Sequence, residues 1–325
     1  MIRMTWRQHR LQLAVSAALL AALAGYLWWS GRRMSSYSLN IGLTGCLARH
    51  AQCGPLITAF HDRFGDLPAG FTLLALIPMP AGLFWGAPLI ARELETGTFR
   101  LAWTQSVSRS RWLTVKLAAF IATALLAAAF VSLLITWWLR PLEAISFAGQ
   151  TANSRLSPVL FSLSGTVPIA TTLFAFALGT AAGAVIRRTV PAMAVTVGGF
   201  LAAWLPMQSL RYHLLAPSTV TTHFNGGAPA PTAGSYVLST GQADAAGWPV
   251  PFTDLLSACG VVHNGEYGLD RSSNACLGAK GFQFTETFQP YGRYWPLQGI
   301  ETGVYLTAAV ALLALAAWWT TRRLR

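Results

Sequence analysis

Ala91-Arg-Glu-Leu-Glu-Thr-Gly-Thr-Phe-Arg-Leu-Ala-Trp-Thr-Gln-Ser-Val-Ser-Arg-Ser-Arg-Trp112 is a strongly polar passage between two long apolar runs. Arg92-Glu-Leu-Glu95 extends the run before it, and Thr96-Gly97-Thr98 then breaks the helix. Glycine permits a redirected backbone there, and either threonine can cap the next helix. From Phe99 onward, Leu101, Ala102 and Trp103 are interspersed with Arg100, Thr104 and Gln105, which predicts a short, partly apolar helix. Val107-Ser-Arg-Ser-Arg111 turns the chain back, with Ser108 or Ser110 as a cap for the next run.

The composition decides which solvent surrounds this passage. The chain is 54% hydrophobic and only 10% charged, too apolar for a soluble domain of this length, in which about a quarter of residues carry charge. Uncharged runs near the roughly 20 residues that cross a hydrocarbon core lie at 11–30, 69–91, 112–138, 165–186, 189–210 and 299–320. The first could be read as a cleaved signal sequence, since Arg7 and Arg10 precede it and Ala22-Leu-Ala24 mimics a cleavage site. The apolar run continues past that point through Leu27-Trp-Trp29, which favours a retained span. The expected fold is an all-α polytopic membrane protein with six transmembrane helices. Between the spans lie segments 31–68, 92–111, 139–164, 187–188 and 211–298, with residues 1–10 and 321–325 at the ends. Pro78, Pro80 and Pro88 lie in or near the second span, where neighbouring helices can satisfy the carbonyls that they free.

Basic residues set the orientation. With both termini cytosolic, 13 of the 23 Lys and Arg and only Glu93 and Glu95 of the 11 acidic residues lie inside. The outer segments are then nearly neutral, as the positive-inside rule expects. Arg32 and Arg33, just beyond the first run, are the dissenting pair. Segments 31–68, 139–164 and 211–298 are accordingly extracytoplasmic, and 92–111 and 187–188 cytosolic. Trp6 among Arg7 and Arg10 suits a helix lying on the inner leaflet or a solvated basic tail; Arg109, Arg111 and Lys116 suit inner-headgroup anchors, Lys116 by snorkelling. The partner of these charges is the lipid bilayer, not a nucleic acid, since they cluster at span ends and no nucleic-acid motif accompanies them.

Cys46, Cys53, Cys259 and Cys276 all fall in the outer segments, which suits disulfides in an oxidising compartment. Three pairings are open, and local pairs are favoured. Cys46 and Cys53 stand seven residues apart, roughly 10 Å along an α-helix, so a bond between them requires a bent or non-helical segment. The rival reading is a metal site on Cys46, His50 and Cys53 with His61 nearby; the spacing matches no common zinc pattern. Gly82-x3-Gly86 and Gly179-x3-Gly183 permit close helix approach, read as packing within the chain, with a dimer seam as the other possibility.

The absences narrow the function. The sequence has no Gly-x4-Gly-Lys-Ser/Thr loop, no His-Glu-x2-His and no Gly-x-Ser-x-Gly, so catalysis and nucleotide binding by this chain are not expected. The spans hold no ionisable relay away from their ends, unlike ion-driven transporters. Glu301 is the nearest exception and is expected to pair with a polar loop group. Energy must come from elsewhere, or the chain does no work.

Glu93-x-Glu95-x-Gly97-Thr98, followed by Thr104-Gln-Ser-Val-Ser-Arg109, Trp112 and Lys116, resembles the coupling region of type-2 ABC exporter permeases. Thr5-Trp-Arg-Gln-His-Arg10, Phe84-Trp-Gly-Ala-Pro88 and Tyr294-Trp-Pro-Leu-Gln-Gly-Ile-Glu301 are similar to an actinobacterial group of these permeases. The resemblance implies a type-2 exporter-like bundle with a cytosolic coupling helix, set in a bacterial plasma membrane. It implies a separate ATP-binding ABC subunit holding ATP and Mg, and no cofactor in this chain. Glu93, Glu95, Arg100 and Trp103 would contact a groove on that subunit, with Thr96, Gly97 and Thr98 at the break that sets the helix direction. A second permease chain, identical or different, would complete the pathway, and a drug, antibiotic or lipid would be the cargo. The alternative is a non-transporting receptor or scaffold whose outer loops bind a ligand or partner.

Overall fold

A computed structural model describes residues 2–49, 53–65, 72–97, 109–146, 154–224, 234–259 and 271–322. Among them, six helical stretches are long and apolar enough to cross a membrane: Ala14–Asn40, Leu73–Thr96, Thr114–Ala144, Val167–Ile186, Thr189–His213 and Tyr291–Arg322. The chain divides into two compact units, one holding all but the outermost residues of these stretches and one formed by 143–157 and 212–294.

In the first unit, α1 (Ile2–Asn40) runs unbroken through positions 10 and 30, so the first ten residues are not a separate element. Nothing in Ser30-Gly-Arg-Arg33 stops the helix, and it ends before Gly42, whose φ of 74° is left-handed. Arg32 and Arg33, which opposed the charge count, lie 4.4 and 4.7 Å from the ring centroids of Trp28 and Trp29, one turn back. Such cation–π contacts suit an interfacial belt. The short helices α2 (Leu43–Ala48) and α3 (Gly54–Phe64) come next. Cys46 and Cys53 are disulfide-bonded with Cα atoms 6.0 Å apart. The helix is broken between them, as the reach of the bond requires, and the bond takes the sulfur ligands from the rival metal reading; His50 lies outside the described residues.

The second span changes its winding three times. A 3₁₀ stretch (Thr72–Leu76) and a prolyl turn (Pro78–Pro80) lead into a π-helical turn (Ala81–Gly86) and then α4 (Ala87–Thr96). Pro88 has no N–H for the carbonyl of Phe84 and crowds it. The turn before it opens, and Ala87 N–H bonds Gly82 O, five residues back. Next come α5 (Arg109–Ser146), which continues well past 138 with Pro141 inside it, a short α6 (Pro158–Leu163), α7 (Val167–Ile186) and α8 (Thr189–Leu210). The last span is α11 (Tyr294–Arg322).

Helix α7 is buried along nearly its whole length, and the second span lies against it at backbone distance. A Cβ on Gly82 would strike the Ala175 carbonyl, one on Gly86 the Phe176 carbonyl, one on Gly179 the Gly82 carbonyl and one on Gly183 the Ala87 carbonyl. The two Gly-x3-Gly motifs therefore pack against each other within one chain. In lipid, where apolar surface drives no association, this close approach supplies the dispersion contacts that hold helices together. Three buried threonine hydroxyls are satisfied along their own helices: Thr171, Thr180 and Thr196 donate to Val167 O, Phe176 O and Ala192 O at 2.7–2.9 Å.

The second unit corrects the all-α expectation: the chain is mostly helical, with a three-stranded antiparallel sheet among the described residues. Its strands β1 (Ser218–His223), β2 (Tyr236–Ala243) and β3 (Gln283–Gln289) lie in the order β1-β3-β2. Val220 and Thr240 flank Glu286 of the central strand. Helices α9 (Phe252–Ala258) and α10 (Arg271–Ala279) are joined by the Cys259–Cys276 disulfide. Phe224, Leu255 and Leu277 form the small core with Phe282 and Phe284 packed on it. Burial pushes the Glu286 carboxyl and the Tyr236 phenol above their ordinary ranges.

Candidate coupling site

The polar passage begins at the C-terminal end of the second span, in α4. Helix α4 stops at Thr96 because Gly97 takes a φ of 70°, turning the chain out of helical register. The Thr96 hydroxyl donates to its own helix, to Arg92 O at 2.8 Å, which helps to seal the end of α4.

Glu93 and Glu95 are two residues apart, about 200° around the helix axis, and so reach different neighbours. Glu93 forms an ion pair with Lys116 of α5. Lys116 Nζ also donates to Leu89 O at 3.1 Å, one turn back on the same face of α4. With 6% of its side chain exposed, Lys116 points into the protein. This corrects its assignment as a headgroup anchor: a carboxylate and a carbonyl inside the protein outcompete the headgroups for its ammonium.

Glu95 reaches the start of α8. Its Oε2 accepts from Thr189 N–H at 3.1 Å and from Thr189 Oγ1 at 2.8 Å. A carboxylate from one span thus caps the first turn of another, where unpaired N–H groups and the helix dipole favour negative charge. The link between α7 and α8 is only Arg187, itself left-handed at φ 61°, and the extended Arg188, which leaves Thr189 N–H at the surface to be capped.

The same span touches four others in its lower half. Trp85 and Leu89 pack with Phe120 and Ala124 of α5, Ala87 with Ala182 of α7 and Ala192 of α8, and Ile90 with Ala184 and Ala316 of α7 and α11. Both carboxylates expected to face a partner are thus engaged inside the chain. Thr98, Arg100 and Trp103 lie outside the described residues, and of Trp6, Arg7, Arg10, Arg109 and Arg111 only the helical backbone is described.

At the opposite end of the bundle lies a polar site that sequence reasoning missed. Arg211, directly after α8, donates from Nε and Nη2 to both carboxylate oxygens of Glu301 at 2.6 and 2.9 Å. Nη2 also donates to Ser162 Oγ at 3.0 Å, and the guanidinium lies 4.1 Å from the Phe161 ring centroid. Both charged side chains are fully buried. Glu301 therefore pairs with the end of a span, not with a loop group. One turn earlier, Gln298 accepts from Thr166 and Val167 N–H and donates to Phe161 and Ser164 O, tying the start of α11 to the α6–α7 turn. The available signal was a lone Arg next to a span and a lone Glu within one.

Six apolar helices, two of them packed through backbone-close glycines, with an ion-paired and capped helix end before a polar connector, define a multi-pass helical membrane protein. A family model described as ABC-2 membrane transporter related matches residues 17–211, more than half of the chain, and the chain belongs to that family. Comparison with curated proteins and with solved structures finds no match. The chain is thus a multi-pass plasma-membrane protein of the ABC-2 permease type, a transporter component and not itself a catalyst, and the family implies an ATP-binding ABC partner. The matched region contains the glycine contacts and the coupling site and ends at Arg211, before the sheet unit and the last span.

Proposed function

We propose that this chain is the permease half of an ATP-driven exporter for a hydrophobic or amphipathic compound, a drug, antibiotic or lipid. Its termini and the 92–111 connector lie in the cytosol, where 13 of its 23 basic residues collect. A separate ABC subunit holds ATP and Mg and docks on the connector through Arg100, Trp103 and their neighbours. Two ATPases and two membrane halves make the working assembly, so a second permease chain, identical or different, completes it. The similarity of its Trp6, Trp85 and Trp295 neighbourhoods to actinobacterial permeases supports a bacterial host.

The observation that carries this reading is the braced exit at Glu93, Glu95 and Gly97: a helix in contact with four other spans ends in a fixed turn into a polar connector. The test is purification of the tagged chain from its host membranes in mild detergent. A stoichiometric ABC ATPase should accompany it, and vesicles holding the pair should move a hydrophobic dye only with ATP and Mg. Arg100→Glu with Trp103→Ala should insert normally yet lose the ATPase. If the chain retains its fold but no ATPase accompanies it, or if that variant binds and transports like the parent, the receptor or scaffold reading takes its place.

A further inference from the structure

We infer that Glu93 and Glu95 are positioning residues for energy coupling: together they clamp the root of the connector to α5 and α8, so that a displacement of the connector moves three helices at once. The inference deepens the proposed function and rests on it for the source of the displacement.

A connector transmits movement only through the helix end that carries it. Gly97 is left-handed, and a Cβ there would meet nothing within 4 Å among the described residues. A turn of this kind passes on little force unless the helix end before it is held. Apolar packing near that end reaches Ile90 and Leu94 among the described residues. Two directional contacts join it there, on opposite sides of the helix. The Glu93–Lys116 pair is largely buried and also holds the Leu89 carbonyl, so Lys116 grips one face of α4 at two levels a turn apart. The Glu95–Thr189 contact uses two donors on one residue, which fixes direction as well as distance.

Neither contact is explained by solubility or topology. A Lys placed only to mark the inner face would keep its ammonium in water or headgroups, and a Glu placed only to solubilise a connector would not take both the backbone and the hydroxyl donor of a span 94 residues away. Of the three helices so joined, α4 and α5 flank the connector and α8 lies far from both in sequence, an arrangement that spreads one local movement over the bundle. The clamp assigns separate tasks within the polar passage: Glu93, partly buried, and Glu95, at the surface, hold α4 to α5 and α8, and the connector beyond Gly97 meets the partner.

The test compares Glu93→Gln, Lys116→Met, Glu95→Ala and the exchanged pair Glu93→Lys with Lys116→Glu, each reconstituted with the ATPase. Each single variant should bind the ATPase but lower the cargo moved per ATP about tenfold, within the range of coupling between contacting residues. The exchanged pair should recover most of that loss, which a merely local packing role would not produce. Single variants with parental cargo-to-ATP ratios, or an exchanged pair no better than the singles, would overturn the proposal. A second readout needs no ATPase: with the chain alone, Thr96→Cys and Arg188→Cys, which flank the Glu95 contact, should be joined by a short bismaleimide. Glu95→Ala should cut that yield severalfold; an unchanged yield also overturns the clamp. Failure of ATPase association alone overturns the exporter reading and leaves the cross-link to decide the clamp.

Discussion

Arg211 and Glu301 place full charges where no water reaches them, and their mutual contacts must compensate for lost hydration. A buried ion pair of this kind contributes little net stability over an apolar replacement, but an orphaned partner is costly, by about 3–5 kcal/mol. Glu301→Ala should therefore lower the unfolding temperature sharply in a detergent-solubilised thermal scan followed by Trp fluorescence. The joint change Arg211→Met with Glu301→Leu should recover most of the loss; a double variant as weak as the single would show that the charges themselves are needed. At this scale the sequence was half legible. A lone acid inside an apolar run announces itself, but its partner lies 90 residues away, and no local pattern marks it. Lys116 misled for the same reason: one turn inside a span, a lysine that snorkels and a lysine that pairs inward look alike until the neighbouring helix is known.

Among the elements, the second span shows how winding, small residues and packing depend on one another. Its π-turn and its glycines occupy the same stretch, where α7 comes within backbone distance. Gly82→Val would drive a side chain into the Ala175 carbonyl, a backbone group that cannot swing aside. We expect it to reduce the folded fraction, measured as the monodisperse peak in size-exclusion chromatography, severalfold. Gly198→Ala, where an added Cβ meets nothing within 4 Å, should elute like the parent. Parental behaviour of both would refute the contact. The motifs were readable from sequence, since Gly-x3-Gly is a pattern of spacing; that they face each other was not, because spacing carries no address. The strands carry a local signal of their own. Phe284-Thr-Glu-Thr-Phe288 alternates with period two, and Ser218-Thr-Val-Thr-Thr222 is rich in β-branched residues. Glycine- and proline-rich surroundings mask both, since turn formers on either side make short strands resemble loops.

Across the whole molecule, the two units respond to different variables. In the sheet unit, burial raises the Glu286 carboxyl, so the folded form keeps its proton at pH values where the unfolded chain has released it. Stability from this group is then fullest below the ordinary carboxylate pKa and falls as pH rises toward the raised value. Limited proteolysis of the full chain should find the 212–294 region more resistant in mild acid than at neutral pH. Glu286→Gln should raise resistance at neutral pH and flatten the trend, and an unaltered trend would assign it to another group. The bundle has no such dependence on this carboxyl. Its assembly follows from hydropathy and small-residue spacing, which is why the six spans were legible while their mutual arrangement was not. The two disulfides complete the contrast. One closes a loop of sequence separation 7 and the other of 17, each within a single connector. All four cysteines are used in this way, so no covalent tie joins one span to another. Oxidation can follow insertion without trapping a misassembled bundle, and the spans are held to one another by packing, hydrogen bonds and ion pairs, contacts that can break and re-form.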